Sequence, residues 1–502
     1  MAPRLRSGQA PPLHAAVDLG AGSGRVLVGG FADRATVEEA YRFTYPPRES
    51  AGHLRWDFDR LLDGIHIGLR RAAAIAAREG RPLSSIGVDS WGVDYGLIDR
   101  SGRLIEDPIC YRDARTAGMV ERACARMERE VIFRETGIQF LPFNTIFQLM
   151  AHAEAGLPAA AERLLMIPDL CHNALCGSST GETTNASTTG LLNIRTGEWA
   201  AEIFESLNLP LSLMPPLRRP GTVLGCLRDD LRNELHLPDV AVVQPATHDT
   251  ASAVAGTPLH PRWAFISSGT WSLVGVERTE PLVGAPVLAA NFTNERGANG
   301  TFRFLKNVAG LWILESCRRE WRAAGLDEDL THLIEGAAAL PRPAGFVYPD
   351  AQSFFNPPSM VDALHSALAE SGQCAPQDRI SLTRICLDSL ALRYASVISA
   401  TERLTGERVE GIHIVGGGAQ NDYLNQATAN ATGRPVLAGP VEATGLGNLL
   451  VQAVACSVTS IAEGRRRITD SFPLRRFEPV DGAAWASFAA QYDAIEQRVG
   501  EA

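Results

Sequence analysis

The stretch ATHDTASAVAG at 246–256 sets His248 and Asp249 between two hydroxyl residues, Thr247 and Thr250. It follows the apolar run VAVVQ at 240–244, which reads as a short buried strand, and precedes small residues that can open a helix. A carboxylate at the carboxyl end of such a strand stands where open α/β sheets hold ligands. The same spacing also suits a helix N-cap, in which Asp or Thr accepts from an orphan backbone N–H. His248 and Asp249 do not make a triad pair by themselves, because neighbouring side chains in an extended segment diverge.

A second carboxylate, Asp18, ends an apolar run just before the turn GAGSGR at 20–25. Backbone N–H groups of a Gly-rich turn can converge on an anion, and an adjacent carboxylate can hold Mg²⁺ beside a phosphate. Alternatively, Asp18 closes the turn as an Asx acceptor. Ser267, Ser268 and Thr270 flank a second such turn, open to the same two readings, and GGG at 416–418 supplies a late glycine loop. Three familiar devices are absent. The only lysine, Lys306, follows Leu305, so no Gly-Lys-Ser/Thr phosphate loop exists. GAGSGR lacks the third glycine of the dinucleotide fingerprint and leads into the strand-like VLVGGF rather than a helix. GSSTG at 177–181 has nucleophile-elbow spacing, but neither a clear strand before it nor a helix after it.

The elements that must position these residues follow from periodicity. Segments 14–31 and 263–277 each read as strand, tight turn, strand, about half the chain apart. They predict two related halves with a hinge near 255–262. Segment 87–99, GVDSWGVDYGLID, reads as a third hairpin with Ser90, Trp91 and Gly92 at its turn. LLDGIHIGLRRAAAIAAREG before it predicts a helix ending at Gly80. Cys386, Leu390, Tyr394, Val397 and Ile398 recur at helical spacing ahead of the strand GIHIV. Helices alternating with strands and Gly loops indicate α/β domains.

Composition sets the outer limits. With 502 residues, two to three domains are expected, and 45% hydrophobic with 21% charged residues is ordinary for a soluble protein. A net charge of −10 argues against nucleic acid or an anionic membrane as partner. The opening MAPRLRSGQAPPLH lacks the apolar core of a signal peptide and no run reaches membrane-spanning length, so a cytoplasmic location is expected. Nine scattered cysteines, with Cys171 and Cys176 lacking a second pair at zinc-site spacing, are expected to be buried free thiols.

Taken in order, AVDLGAGSGR, GVDSWGVDYGLID, YRDARTAGM, GIQFLPFNTIFQL, IPDL with TNASTT, ATHDTASAV, ISSGTWSLVGVE, LKNVAGLW, and HIVGGGAQN with AGPVEATGLGN run from residue 16 to about 448. In that order they resemble the FGGY carbohydrate kinases of the actin-like ATPase superfamily. The resemblance implies an α/β fold of two actin-like, ribonuclease H-like domains, 1–257 and 258–502, with ATP between them. It makes Asp249 the base that takes the sugar hydroxyl's proton. Gly92, His248, Asp249, Thr250 and Asn307 match sugar-pocket positions. Ala21, Gly22, Ser23, Gly24 and Arg25, with Thr270 and Gly417, match nucleotide positions, and Asp18 would serve Mg²⁺.

Two departures stand out. Glycine replaces the usual second serine of the first turn, removing a hydroxyl but no backbone donor. Glu315 stands where glutamine is usual, and a carboxylate suits a phosphate neighbourhood poorly, so no nucleotide role is carried to it. The expected reaction is phosphorylation of L-rhamnulose to its 1-phosphate, the expected partners are the sugar and ATP, and the expected state is a monomer or small homo-oligomer. Alternatives are another ketose or polyol, such as L-fuculose, or a silent sugar-binding regulator on the same fold. A filament-forming actin relative would leave the sugar-pocket motifs unexplained.

Overall fold

Continuous apolar runs make strands covered on both faces. In the computed structural model, which describes residues 11–500 apart from Asp327, LHAAVDLG forms such a strand, Leu13–Gly20, buried along nearly its whole length. Residues 1–10 of the stretch read for a leader lie outside the described residues. The chain gathers into two compact units, neither of them one continuous stretch. The first takes the chain up to Pro258 with Glu277–Phe304 and Ala443–Phe472. The second takes Leu259–Val276 and Leu305–Glu442 with the chain from Pro473 onward.

In the first unit a six-stranded sheet runs in the order Thr222–Cys226, Ala241–Gln244, Leu83–Ser90, Leu13–Gly20, Ser23–Phe31, Ala35–Thr44. The strands Leu13–Gly20, Ser23–Phe31 and Ala35–Thr44 form an antiparallel meander. The helix Phe58–Arg78 then crosses over, so that Leu83–Ser90 lies parallel to Leu13–Gly20. Asp57 caps that helix by accepting from the backbone N–H of Arg60, and Gly80, at φ +63°, turns the chain out of it. In the second unit Trp263–Ser268 and Trp271–Arg278 form an antiparallel hairpin, with Gly411–Val415 and then Val436–Ala438 added in parallel. Both expected half-opening hairpins are therefore present.

Segment 87–99 is not the expected hairpin. Leu83–Ser90 already pairs in parallel on both edges, with Leu13–Gly20 and Ala241–Gln244, and has no edge left for its own continuation. Val93 at φ +70° carries the chain out of the sheet, and Tyr95–Ile98 pairs instead with Arg163–Met166. The cysteine expectation holds in part: all nine are free, but only Cys110, Cys171, Cys317 and Cys386 are buried, while Cys226 and Cys374 are exposed. Among the described residues no helix is long and apolar enough to cross a membrane.

The C-terminal return into the first unit stiffens it. Leu446, Leu449, Leu450 and Ala453 of the helix Ala443–Ala455 join Ala16, Leu27, Phe31, Ala35 and Ile468 in one apolar cluster. Its next face meets the helix Asp249–Ala255 so closely that a Cβ on Gly447 would stand 1.7 Å from the Ser252 carbonyl oxygen. A methyl group cannot be accommodated there without parting the helices. The helix carrying Asp249 is thus clamped along its length.

Candidate active site

Three strand ends meet at the carboxyl edge of the first sheet. Asp18 and Asp89 are register partners on parallel strands. Beyond them the Trp91 N–H donates to the Leu19 carbonyl at 3.2 Å, the Ser90 N–H donates to the Thr247 carbonyl at 2.9 Å, and Ser90 bridges to His248. The Asp18 hairpin turn, the Gly92 loop and the His248–Asp249 junction therefore converge at one edge.

The turn is pinned from beneath. Tyr45 donates its hydroxyl toward the carbonyls of Gly20 and Ser23, at 2.6 and 3.0 Å, while Gly22 takes φ +125° between them. Its ring stacks on that of Trp91 at 6.2 Å. Ala21, Gly22, Ser23 and Gly24 form this turn and the start of the next strand, from which Arg25 reaches back to Asp18. Arg25 donates from Nε to Asp18 Oδ2 at 2.9 Å, and its NH2 lies 2.8 Å from the same oxygen.

The Gly92 loop is held by one carboxylate. Asp94 Oδ2 accepts from the indole N–H of Trp56 at 2.7 Å, that of Trp91 at 3.0 Å and the Tyr111 backbone N–H at 3.1 Å, while Oδ1 accepts from Gln148 at 3.1 Å. Burial pushes its pKa up to about 6 against these donors. A β-branched residue at positive φ costs about 1–3 kcal/mol, and Val93 is kept there by its neighbours. Its carbonyl accepts from Thr145 and Gln148, and its N–H donates to Thr188 Oγ1. A Cβ on Gly92 would stand 2.9 Å from that same hydroxyl, so the loop lies against Thr188.

The His248–Asp249 junction rests on buried Glu182. One oxygen accepts from the Thr247 N–H and hydroxyl, both at 2.9 Å, and from the Thr184 hydroxyl; the other accepts from the Thr184 N–H at 2.7 Å. The N-cap reading of 246–256 is corrected here. His248 is the cap and its side chain makes no capping bond; Asp249 is the first helical residue, accepting the Thr250 O–H at 2.9 Å instead of a backbone N–H. Its carboxylate still complements the positive end of the helix. Thr250 itself is buried, whereas 32% of the Asp249 side chain remains accessible.

Charge is concentrated at this edge. Burial raises the Asp249 pKa, with Asp18 adding to the rise, while His248, the Thr250 O–H and Arg303 oppose it. Asp89 is raised more strongly, first by burial and then by Asp18, although Asn448 donates to its Oδ2 at 2.5 Å. Asp89 Oδ1 is buried without a partner. Two neighbouring carboxylates, one with an orphaned oxygen, form an oxygen donor set of the kind a hard dication such as Mg²⁺ takes with waters and phosphates. No group of three or more His, Cys, Asp or Glu side chains among the described residues could hold a metal alone.

The remaining expected positions belong to the second unit. Thr270 lies in the turn between Trp263–Ser268 and Trp271–Arg278, and Gly417 opens the short helical turn Gly417–Gln420. These two come together, since a Cβ on Gly416 would meet the Ser268 carbonyl at 2.9 Å and one on Gly418 would meet the Ser268 hydroxyl at 2.0 Å. Asn307 sits in the strand Phe302–Ala309. Glu315 pairs with Arg318 at 2.7 Å and is half exposed.

Sequence reasoning missed Asp89, Asp94, Glu182, Glu295 and Arg303. Asp89 and Arg303 left a trace, as lone charges in the apolar runs GVDS and FRFL; Glu182 and Glu295 sit in polar surroundings and left none.

The N-terminal domain model of the FGGY family of carbohydrate kinases matches residues 13–256 and the C-terminal one matches 264–456. The chain belongs to that family. It is 38% identical over 472 residues to a rhamnulokinase of Bacillus subtilis, covering 93% of this chain and 96% of that one. It is 42% identical over 489 residues to a rhamnulokinase of Pectobacterium atrosepticum, covering 96% of each. Among solved structures, a ligand-bound xylulose kinase from Lactobacillus acidophilus superposes with a TM-score of 0.78 at 16% identity, over 97% of this chain and 98% of that one. A Plasmodium falciparum glycerol kinase with ADP superposes at 0.76 and 13% identity, again over 97% and 98%. These likenesses establish the actin-like α/β fold of two sheet-bearing units.

Proposed function

We propose that the chain transfers the γ-phosphoryl group of ATP to the 1-hydroxyl of L-rhamnulose, yielding L-rhamnulose 1-phosphate in rhamnose breakdown. The observation that carries the mechanism is Asp249: an accessible carboxylate, clamped at a strand end, with the Thr250 O–H bonded to Oδ1 at 2.9 Å and His248 Nε2 standing 3.5 Å from the same oxygen. It accepts the hydroxyl proton as the oxygen attacks phosphorus. Gly92, His248, Thr250 and Asn307 orient the sugar. Ala21, Gly22, Ser23, Gly24 and Arg25 meet the phosphates from one hairpin turn, and Thr270 and Gly417 hold the nucleotide from the second unit.

Asp18, with Asp89 behind it, holds Mg²⁺, which when bound neutralises phosphate charge. Phosphoryl transfer asks mainly for positioning and charge neutralisation. One base contributes about 10²–10⁴-fold, and the phosphate turns supply the rest. We take 1–257 and 258–502 as the two functional halves, and a cytoplasmic monomer or small homo-oligomer as the working form.

A coupled ADP-release assay across L-rhamnulose, L-fuculose and a set of polyols tests this. The highest kcat/KM is expected with L-rhamnulose. A better substrate among the others would overturn the sugar, and no turnover with any of them would overturn the kinase mechanism.

A further inference from the structure

His248 lies between two carboxylates, and a fully buried arginine reaches one of its ring nitrogens. Nδ1 is 3.1 Å from Arg303 NH2 and 3.3 Å from Glu295 Oε2, while Nε2 is 3.5 Å from Asp249 Oδ1. Arg303 NH1 stands 3.0 Å from the same Glu295 oxygen, and NH2 and Nε both donate to the Arg296 carbonyl, at 3.0 and 3.2 Å. A guanidinium donates and never accepts. The second hydrogen of NH2 therefore needs a lone pair on Nδ1, and a hydrogen there would set donor against donor. Glu295 Oε2 lies nearer to Arg303 NH1, at 3.0 Å, than to the ring, at 3.3 Å, so the guanidinium meets its charge first.

We infer that Glu295 and Arg303 are positioning residues that lock His248 in its Nε2–H form and aim that hydrogen at Asp249 Oδ1. The Thr250 O–H already engages Oδ1, at 2.9 Å. Oδ1 then faces two donors, and Oδ2 is the oxygen left to receive the substrate's proton. The inference rests on Asp249 as the base. It also gives a reason for a guanidinium with 0% exposure, since a buried ion pair is a poor stabiliser compared with apolar packing.

Selective ¹⁵N-histidine labelling of the full chain, with His248→Gln assigning the ring, reads the tautomer without disturbing the pair. A bare Nδ1 and a protonated Nε2 are expected in the wild type; a hydrogen on Nδ1 would overturn the inference. In Arg303→Met or Glu295→Gln, kcat should fall roughly 10–100-fold with little change in the KM for ATP, as for other partners that orient a reacting side chain. If Arg303 acts through His248, adding Arg303→Met to His248→Gln should cost no more than about twofold. Full additivity of the two losses would mark a merely structural arginine and sink the proposal. Should Arg303→Met fail to fold, Arg303→Lys, which keeps the charge and loses the fork, takes its place in both kinetic tests. Lack of turnover on L-rhamnulose by the wild type would count against the substrate and leave the tautomer reading intact.

Discussion

The two hairpins that open the halves share a topology and differ in what they carry. In each, the first strand pairs antiparallel with the second and parallel with a strand from further along the chain. In the first, the strand end bears Asp18, paired across the hairpin with Arg25 and beside Asp89. In the second, the matching end bears hydroxyls, with Ser268 opposite Ser272 and the Ser272 hydroxyl 2.6 Å from that of Tyr394. Carboxylates suit a dication and a proton; hydroxyls and bare glycine backbone accept an anion without repelling it. The same backbone hairpin thus presents carboxylates at its strand end in one half and hydroxyls in the other.

Changes on the charged side should cost most. Asp249→Asn keeps shape but cannot take the proton, and turnover should fall by at least roughly 10²-fold with the melting temperature and ATP binding retained. Near-normal turnover in the purified variant would remove Asp249 from the mechanism. Asp18→Ala comes next. It takes away the proposed Mg²⁺ carboxylate and the ion pair with Arg25, so turnover should fall by about tenfold or more even at high Mg²⁺, while sugar affinity by calorimetry stays near wild type. The reverse pattern, lost sugar affinity with intact turnover at saturation, would move Asp18 away from the phosphate end.

How much of this was legible in the sequence depended on whether a residue acts through local pattern or through distant contacts. Both half-opening hairpins, the helix ending at Gly80 and the strand before His248 follow from apolar runs and turn residues. The third hairpin failed because no local signal says that both edges of Leu83–Ser90 are already taken. Asp94 looked like one more polar residue of a turn. Its role comes from Trp56 and Gln148, 38 and 54 residues away, whose donors meet only in the folded chain. Family resemblance supplied Asp249 and its neighbours but not the Glu295–Arg303 pair behind them.

On the hydroxyl side a smaller, cleaner effect is expected. A Cβ on Gly417 meets nothing within 4 Å and needs no unusual φ, so Gly417→Ala should leave stability unchanged. If the nucleotide passes over this loop, the KM for ATP should rise several-fold with kcat nearly kept, because uniform binding is lost. Gly418→Ala sharpens the reading. Its Cβ would collide with Ser268, so that variant should lose stability as well. An unchanged KM for ATP in Gly417→Ala would take the loop out of the nucleotide site.

The smallest effect concerns acid. Two buried histidines of the first unit are held neutral, mainly by burial: His14 falls to about 4 and His172 to about 3, whereas in the second unit His413 falls to about 4. His172 has a further structural reason, since its Nε2 accepts the Val88 backbone N–H at 3.2 Å and a proton there would break that bond inside the central sheet. A folded pKa below the unfolded value near 6.5 means stability that is complete above pH 6.5. That stability is lost as pH falls from there toward about 3, by roughly 1.4 kcal/mol per pH unit for each such histidine. The first unit, in which burial also lowers His152 to about 4 and lowers His66, should therefore weaken faster between pH 6.5 and 4 than the second. His172→Gln can still accept from Val88 but does not titrate, so its urea midpoint should fall less steeply over that window than the wild type's. Parallel slopes for the two proteins would mean that His172 is already protonated, or exposed, in the folded chain.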